Sequence, residues 1–369
     1  MRVAIVHQEI KPDAPLDEQD TRLQADAIDA TLRSLGHETL RLGATLNLAD
    51  LDGELRNDRP DVIFNLVESL AGSDRLLFLA PAVYDALGVR YTGSPTESLV
   101  ITSNKLLAKQ QMLLAGLPTA QWCGSQARDR SPELPFPARY IFKCVFEHGS
   151  WGMDEAAVIE VHCEEDLQAE VSRRERATGR TWFAERYIAG REFNVALIET
   201  ADGPRVLPIG EIEFANFSDD KPKIVCYQAK WAEESFEYVN TPRRFGFASS
   251  DRELIAELER LALESWQHFH LKGYARVDFR VDESGRPWIL EINANPCLTP
   301  EAGFWAMLQE ASIPYERAIG WILAAALPSP VRTPEVREVA PRRAGKVKLA
   351  PVRKEGRREP ALAPRTGSE

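Results

Sequence analysis

The densest chemistry in this sequence lies between residues 273 and 296. Gly273 to Val281 reads Gly-Tyr-Ala-Arg-Val-Asp-Phe-Arg-Val, and Trp288 to Pro296 reads Trp-Ile-Leu-Glu-Ile-Asn-Ala-Asn-Pro. Arg276, Asp278 and Arg280 alternate with Val277, Phe279 and Val281, which is the period of a β-strand. Pairing the two segments about Ser284-Gly285 sets Asp278 opposite Glu291 and Arg276 opposite Asn293. All four then share one face, with Val277, Leu290 and Ile292 on the other. Two carboxylates facing each other across a ladder repel, so a cation is expected between them. It is either a metal ion or the guanidinium groups of Arg276 and Arg280 on a surface hairpin. Asp, Glu and an Asn oxygen are hard ligands of the kind Mg²⁺ takes. The abrupt Asn-Ala-Asn-Pro stop tips the reading towards the metal.

Other segments must position this hairpin. The first ninety-odd residues alternate strand and helix signals: Val3 to Val6, a helix over 17–35 stopped by Gly36, Glu38 to Leu42, Val62 to Val67, a helix over 76–87, and Val89 to Thr92. This pattern predicts a small parallel α/β layer. No Gly-x-Gly-x-x-Gly follows the first strand and no Gly-x-x-x-x-Gly-Lys-Ser/Thr occurs, so dinucleotide and P-loop readings are poor. A helix is expected over 103–115 with Ser103 as its cap, followed by a Pro-rich joint at 131–137. Beyond the joint the chain turns strand-rich around a glycine loop, Glu147-His-Gly-Ser-Trp-Gly152. Lys143, in the middle of the apolar run Tyr140 to Phe146, has no structural reason to be there and is read as functional. Residues 215–232 are expected to loop over something, and a long helix over 251–270 leads into the hairpin.

Length and composition bound the class. The 369 residues are 44% hydrophobic and 27% charged, the mix of a globular protein of two or three domains. No run of about 18 apolar residues is present, so no membrane-spanning helix is expected. Five scattered cysteines form no Cys-x-x-Cys, which argues against structural zinc or disulfides and for a cytoplasmic location. From Val331 onward the chain carries a net charge of +6, leaving −17 on the remainder. An acidic body disfavours nucleic-acid binding, and the basic, Pro-rich tail is read as disordered.

Arg-Val-Asp-Phe followed by Leu-Glu-Ile-Asn-Ala-Asn-Pro resembles the closing motif of the ATP-grasp ligases, and most closely that of the D-alanine–D-alanine ligases. Further matches fall in family order: Asn65-Leu-Val-Glu-Ser, Tyr91-Thr-Gly-Ser94, Asn104-Lys105, Lys143, Gly149-Ser-Trp-Gly152, Glu185-Arg-Tyr-Ile188, Gly190-Arg-Glu-Phe193 and Ala229-Lys230. The resemblance implies an α/β (α+β) fold of three domains. A Rossmann-like pre-ATP-grasp domain spans 1–100, and two α+β domains, 101–190 and 191–327, hold ATP between them ahead of the tail, 328–369. It implies ATP with two Mg²⁺ ions (Mn²⁺ as a possible substitute), with Asp278, Glu291 and Asn293 as metal ligands. Arg276 would stabilise the transferred phosphoryl group. Lys105, Lys143 and Lys230 would meet the ATP phosphates. Glu185, Arg186 and Ile188 would border the adenine and Glu192 the ribose. Gly149, Ser150 and Gly152 would form the loop over the phosphates, and residues 217–228 the covering loop. Small amino acids or peptides would be the substrates, joined through an acylphosphate, and the first domain would support a homodimer. Glu9, Asp17 and Glu18 are candidates for a substrate amino group.

The sequence also departs from that family. Gly149 stands where a first serine is usual, and Trp231 where tyrosine follows the lysine of the covering loop. Leu298 to Gly303 lacks the serine-leucine pair of the acceptor-carboxylate site, and Asp17 to Asp20 departs from the usual glutamate-bearing start. Each change removes a contact to the amino acids rather than to ATP. A ligase acting on another amino acid or peptide pair, and a nucleotide-binding module without turnover, therefore stand as alternatives.

Overall fold

Val3, Ala4, Ile5 and Val6 are fully buried on both faces of the first strand, as a strand in a covered parallel sheet must be. In this computed structural model residues 1–11, 14, 16–126 and 128–328 are described, except for the side chains of 16–18. The tail from Val331 lies outside the described residues. Strand β1 (Arg2–Gln8), helix α1 (Leu16–Ser34), β2 (Glu38–Ala44), α2 (Leu48–Asp58) and β3 (Val62–Asn65) make a three-stranded parallel sheet in the order β2-β1-β3. Val3 and Ile5 pack towards α1, Ala4 and Val6 towards α2 and α3 (Leu79–Leu87). Residues 89–92 do not form the expected strand; only Tyr91 bridges to Ile63.

Helices α4 (Thr96–Ser103) and α5 (Lys105–Leu114) follow. The sequence suggested Ser103 as the cap of α5. Instead Ser103 ends α4, and the Asn104 side chain accepts the N–H groups of Leu106 and Leu107. Ser103 is still helical, whereas Asn104 takes the extended conformation of a cap and its side-chain oxygen reaches two orphan donors.

A second, antiparallel sheet comprises β4 (Trp122–Gly124), β5 (Ala138–Cys144), β6 (Val158–Val161) and β7 (Trp182–Arg186), in the order β4-β7-β5-β6. Helix α6 (Glu164–Thr178) buries Leu167 and Val171 against Tyr140, Phe142 and Ala184 on one face. The other face carries Lys143 and Glu185.

The third sheet is built from β8 (Arg191–Thr200), β9 (Gly203–Val206), β10 (Gly210–Ile212), β11 (Arg243–Arg244), β12 (Tyr274–Val281) and β13 (Pro287–Asn293). Between β10 and β11 lie two short helices, α7 (Tyr227–Trp231), within the stretch 215–232 expected as a loop, and α8 (Phe236–Val239). The long helix α9 (Arg252–His268) packs Leu258, Leu261, Ala262 and Trp266 on Phe193, Val195, Val277, Phe279 and Ile292. Helices α10 (Gly303–Glu310) and α11 (Tyr315–Ala325), the last among the described residues, join Ala196, Ile198 and Tyr274 to β1 and α1 in one buried cluster. Among the described residues no helix is long and apolar enough to cross a membrane.

Candidate active site

Because α9 covers one face of the third sheet, the residues of opposite parity are confined to the other. Antiparallel pairing places Glu291 beside Asp278, Asp278 beside Asn194, and Asn194 beside Gly210, a row across four strands. Arg276 lies opposite Asn293, as the alternation of the sequence requires. Beyond Asp278 the register slips by one residue, and Phe279 meets Ile289. Leu290 is therefore the extra residue of a β-bulge. Its expected place in the core belongs to Ile289, which is fully buried while Leu290 is half-buried.

Charges on this face are tightly paired. Arg276 donates Nε and Nη2 to the two oxygens of Asp278 at 2.7 and 2.8 Å, and Asn194 donates to Asp278 Oδ1 at 2.8 Å. Along the strand, Glu192 faces Arg280 at 3.4 Å. Burial raises the Glu192 carboxyl, and Arg280 opposes it. Glu291 meets His148 Nδ1 at 3.0 Å and Lys105 Nζ at 3.7 Å. Burial alone would raise the Glu291 carboxyl, but Lys105, His148 and Lys230 together hold it well below its ordinary value. Lys230, on α7, remains reachable by solvent yet is densely surrounded. Desolvation and then Arg276 lower its ammonium, while Glu291, Asp278 and Glu192 act in the opposite sense.

The second sheet contributes a separate cation–carboxylate cluster. Glu185, 1% exposed, sits between Lys109 and Lys143, each 2.8 Å from one of its oxygens. Lys143 and Glu185 share the face opposite α6. Arg186 ends β7, and Ile188 is buried with Ala120 and Trp288. Cys144, on the α6 side, is buried, which pushes its thiol up to about 12.

The glycine loop is held in place by α7 and the segment before it. Gly149, Ser150 and Gly152 all take left-handed backbone angles, with φ of 65°, 64° and 69°. Ser150 Oγ donates to the Val225 carbonyl at 2.7 Å, and Trp231 Nε1 donates to the Gly149 carbonyl at 3.2 Å. Lys105 Nζ donates to the Glu147 carbonyl at 2.7 Å, which brings α5 to the same loop.

The expected residues thus fall into three linked groups: Arg276, Asp278, Glu291 and Asn293 with Lys105 and Lys230; Lys143 with Glu185; and Gly149, Ser150 and Gly152 under α7. Glu9 is exposed, and the side chains of Asp17 and Glu18 lie outside the described residues. Four members of the site were not singled out in the sequence: Lys109, His148, Asn194 and Arg243. Lys109 follows Lys105 by one helical turn, a spacing that could have placed it on the same face. Arg243 Nη2 lies 3.4 Å from Asn194 Oδ1; burial, and then Arg276, bring its guanidinium down to about 10.

The donor set suits a hard divalent cation that shares its shell with phosphate. Two carboxylates face each other across a ladder with an asparagine nearby, and Mg²⁺ characteristically takes one or two carboxylates with phosphate and water. Among the described residues no group of three or more His, Cys, Asp or Glu gathers to hold a metal by protein side chains alone.

Residues 135–324 match the family model described as the D-ala D-ala ligase C-terminus. A D-alanine–D-alanine ligase of Nitrosococcus oceani is 32% identical over 249 residues, covering 66% of this chain and 71% of the relative. An uncharacterised protein of Sinorhizobium fredii is 29% identical over 308 residues, covering 81% and 86%. The crystal structure of Bacillus anthracis D-alanine–D-alanine ligase complexed with ATP superposes with a TM-score of 0.65 at 18% identity, covering 88% of this chain and 97% of that one; at that identity the likeness speaks for the mixed α/β fold. The family match spans more than half of the sequence and takes in the paired carboxylates, the glycine loop, Lys143 and Lys230, while Lys105 and Lys109 precede it. The chain belongs to the D-alanine–D-alanine ligase family of ATP-dependent C–N ligases.

Proposed function

We propose that this chain is an ATP- and Mg²⁺-dependent carboxylate–amine ligase that joins two amino acids or peptides through an acylphosphate. The observation that carries the reading is the Asp278–Glu291 pair, ringed by cations from three separate segments: Lys105 on α5, Lys230 on α7 and Arg276 on β12. ATP brings about four negative charges, so such a ring inside an acidic body answers a polyphosphate rather than a neutral ligand.

In this reading the chain forms three lobes, 1–100, 101–190 and 191–327, with ATP between the second and third. Lys143 and Glu185, with the backbone of Arg186 to Ile188, border the adenine, and Glu192 takes the ribose hydroxyls. Lys105, Lys143 and Lys230 meet the phosphates under the loop of Gly149, Ser150 and Gly152. Asp278, Glu291 and Asn293 are the residues that would hold Mg²⁺, which when bound offsets phosphate charge and makes the phosphorus more electrophilic. Arg276, which shares this face, would donate N–H groups to the oxygens of the transferred phosphoryl group. Closure of residues 217–228 excludes water from the acylphosphate until the amine attacks. Trp231 in place of the family's usual tyrosine, and Gly149 in place of serine, favour a pair of substrates other than two D-alanines.

The test is ADP and phosphate release with Mg-ATP over a panel of single amino acids, pairs and dipeptides, with Glu291→Ala run beside the wild type. Release that yields a coupled product by mass and falls at least a hundredfold in the variant supports the proposal. ATP binding without release for any member of the panel would point to a module that binds nucleotide without turning it over.

A further inference from the structure

Among the described residues, Arg243 is the guanidinium of the site's polar face with no ion pair to an acid. It pairs with Ile212 across β10–β11, so it shares a face with Gly210, Asn194 and Asp278. Two glycines clear its path. A Cβ on Gly210 would lie 2.7 Å from Arg243 Cδ, and a Cβ on Gly303, the first residue of α10, would lie 2.7 Å from Nη2. Any side chain at either position would displace the guanidinium. Its Nη2 reaches only the amide oxygen of Asn194, at 3.4 Å, and its Nε is buried without a hydrogen-bond partner. Asp278 is the acid whose field reaches it, but both oxygens of Asp278 are already taken by Arg276.

A half-buried guanidinium whose nearest acid is already bound by a second guanidinium costs stability unless a bound anion supplies the missing charge. The geometry says which anion. Lys105, His148 and the glycine loop gather at the β13 end of the row, around Glu291. Arg243 stands at the opposite end, on β11, past Asp278 and Asn194. The phosphate-binding cations and Arg243 therefore flank the reacting centre from two sides. Gly303, against which Nη2 rests, ends the segment 298–303 in which the family's serine-leucine pair is missing. Arginine offers a planar pair of donors matched to a carboxylate.

We propose that Arg243 is a specificity-determining residue, holding a carboxylate of the amine-bearing substrate at the end of the site away from the phosphates. This rests on the ligase reading above. It predicts that the chain rejects acceptors whose carboxylate is blocked. A charge-assisted pair of this kind corresponds to about a 50-fold preference.

The experiment compares amino acids and dipeptides with their C-terminal amides on wild type, Arg243→Met and Arg243→Lys. Binding in the presence of ADP is read by calorimetry, and ADP release from Mg-ATP by a coupled assay. The wild type should bind at least one free acid about 50-fold better than its amide. Arg243→Met should lower that preference to below about fivefold, with ATP affinity unchanged, and Arg243→Lys should restore part of it. The melting temperature of Arg243→Met should hold or rise, since an unpaired charge has been removed; a fall would mark a structural role. An unchanged acid preference in Arg243→Met, or no acid bound by the wild type, overturns the assignment. Turnover with an unchanged preference would sink the role of Arg243 and keep the ligase. Acid binding lost in Arg243→Met without turnover in any protein would keep the carboxylate site and remove the ligase reading.

Discussion

Trp231 donates its indole N–H to the carbonyl of Gly149 at 3.2 Å. This bond ties α7 to the glycine loop, 82 residues away in sequence; Tyr227 N–H adds a bond to the Met153 carbonyl just past the loop at 3.3 Å, and Ser150 Oγ one to Val225. In the proposed function the glycine loop and the segment leading to α7 both cover the nucleotide, so this contact would govern how readily the site opens.

Trp231→Phe should therefore loosen the contact, removing the indole N–H while keeping an aromatic ring in place. One neutral hydrogen bond contributes about 1 kcal/mol, which corresponds to roughly a fivefold rise in the open population. Trypsin cleavage after Lys223, in the segment leading to α7, should accelerate by that factor under native conditions. An unchanged cleavage rate would show that the bond does not govern opening.

Glu185 should make stability depend on acid. Burial by itself would raise its carboxyl, but Lys109 and Lys143 win and hold it below the ordinary value. The folded group thus stays charged at pH values where the unfolded one, near about 4.3, takes a proton. Its stabilisation is fully present above that value and is lost as pH falls towards the lower folded one. Glu185→Gln should cost most at neutral pH, where it leaves two buried lysines facing an amide. The gap in melting temperature between wild type and variant should then narrow steadily below pH 4. A gap that stays constant from pH 7 to pH 3 would contradict the charge pairing.

Gly190 is required by the close approach of two backbones. Its φ is 137°, and a Cβ there would run into the carbonyl oxygen of Val281. That carbonyl belongs to β12, so the clash would push apart the strands that carry Glu192 and Arg280. Arg280 Nη1 also donates to the Gly190 carbonyl at 2.8 Å. Gly190→Ala should cost roughly 3 kcal/mol or more, seen as a large fall in melting temperature. The same substitution at Gly203, where nothing lies within 4 Å of the added atom, should cost less.

Local alternation was enough to read the carboxylate pair from the sequence. Arg276, Asp278, Glu291 and Asn293 occupy one frame of a period-two pattern, and a one-residue slip would split them between the two faces. The bulge at Leu290 was not legible because its cause is remote. The Ile289 N–H is drawn to the Pro118 carbonyl at 2.8 Å, and Thr119 bridges the same residue. Arg243 and Arg244 follow Pro242 and read locally as an exposed basic pair; only the glycines at 210 and 303 make room for one of them inside. Lys109 likewise resembles a surface lysine on α5 until Glu185 arrives from β7, 76 residues later in the chain. His148 gave no signal beyond its place in a glycine loop. Partners supplied by distant segments leave no periodic trace, whereas faces of one hairpin do.

The Leu290 bulge divides the hairpin into two mechanically distinct halves. On the inner side Asp278 stays opposite Glu291; on the outer side the exposed turn from Asp282 to Arg286 follows its own register. A residue gained or lost in that turn can be taken up at the joint before it reaches the carboxylates. The tip of this hairpin is thus a place where the chain can accept a label, an epitope or a foreign loop while the chemistry a few residues away keeps its alignment.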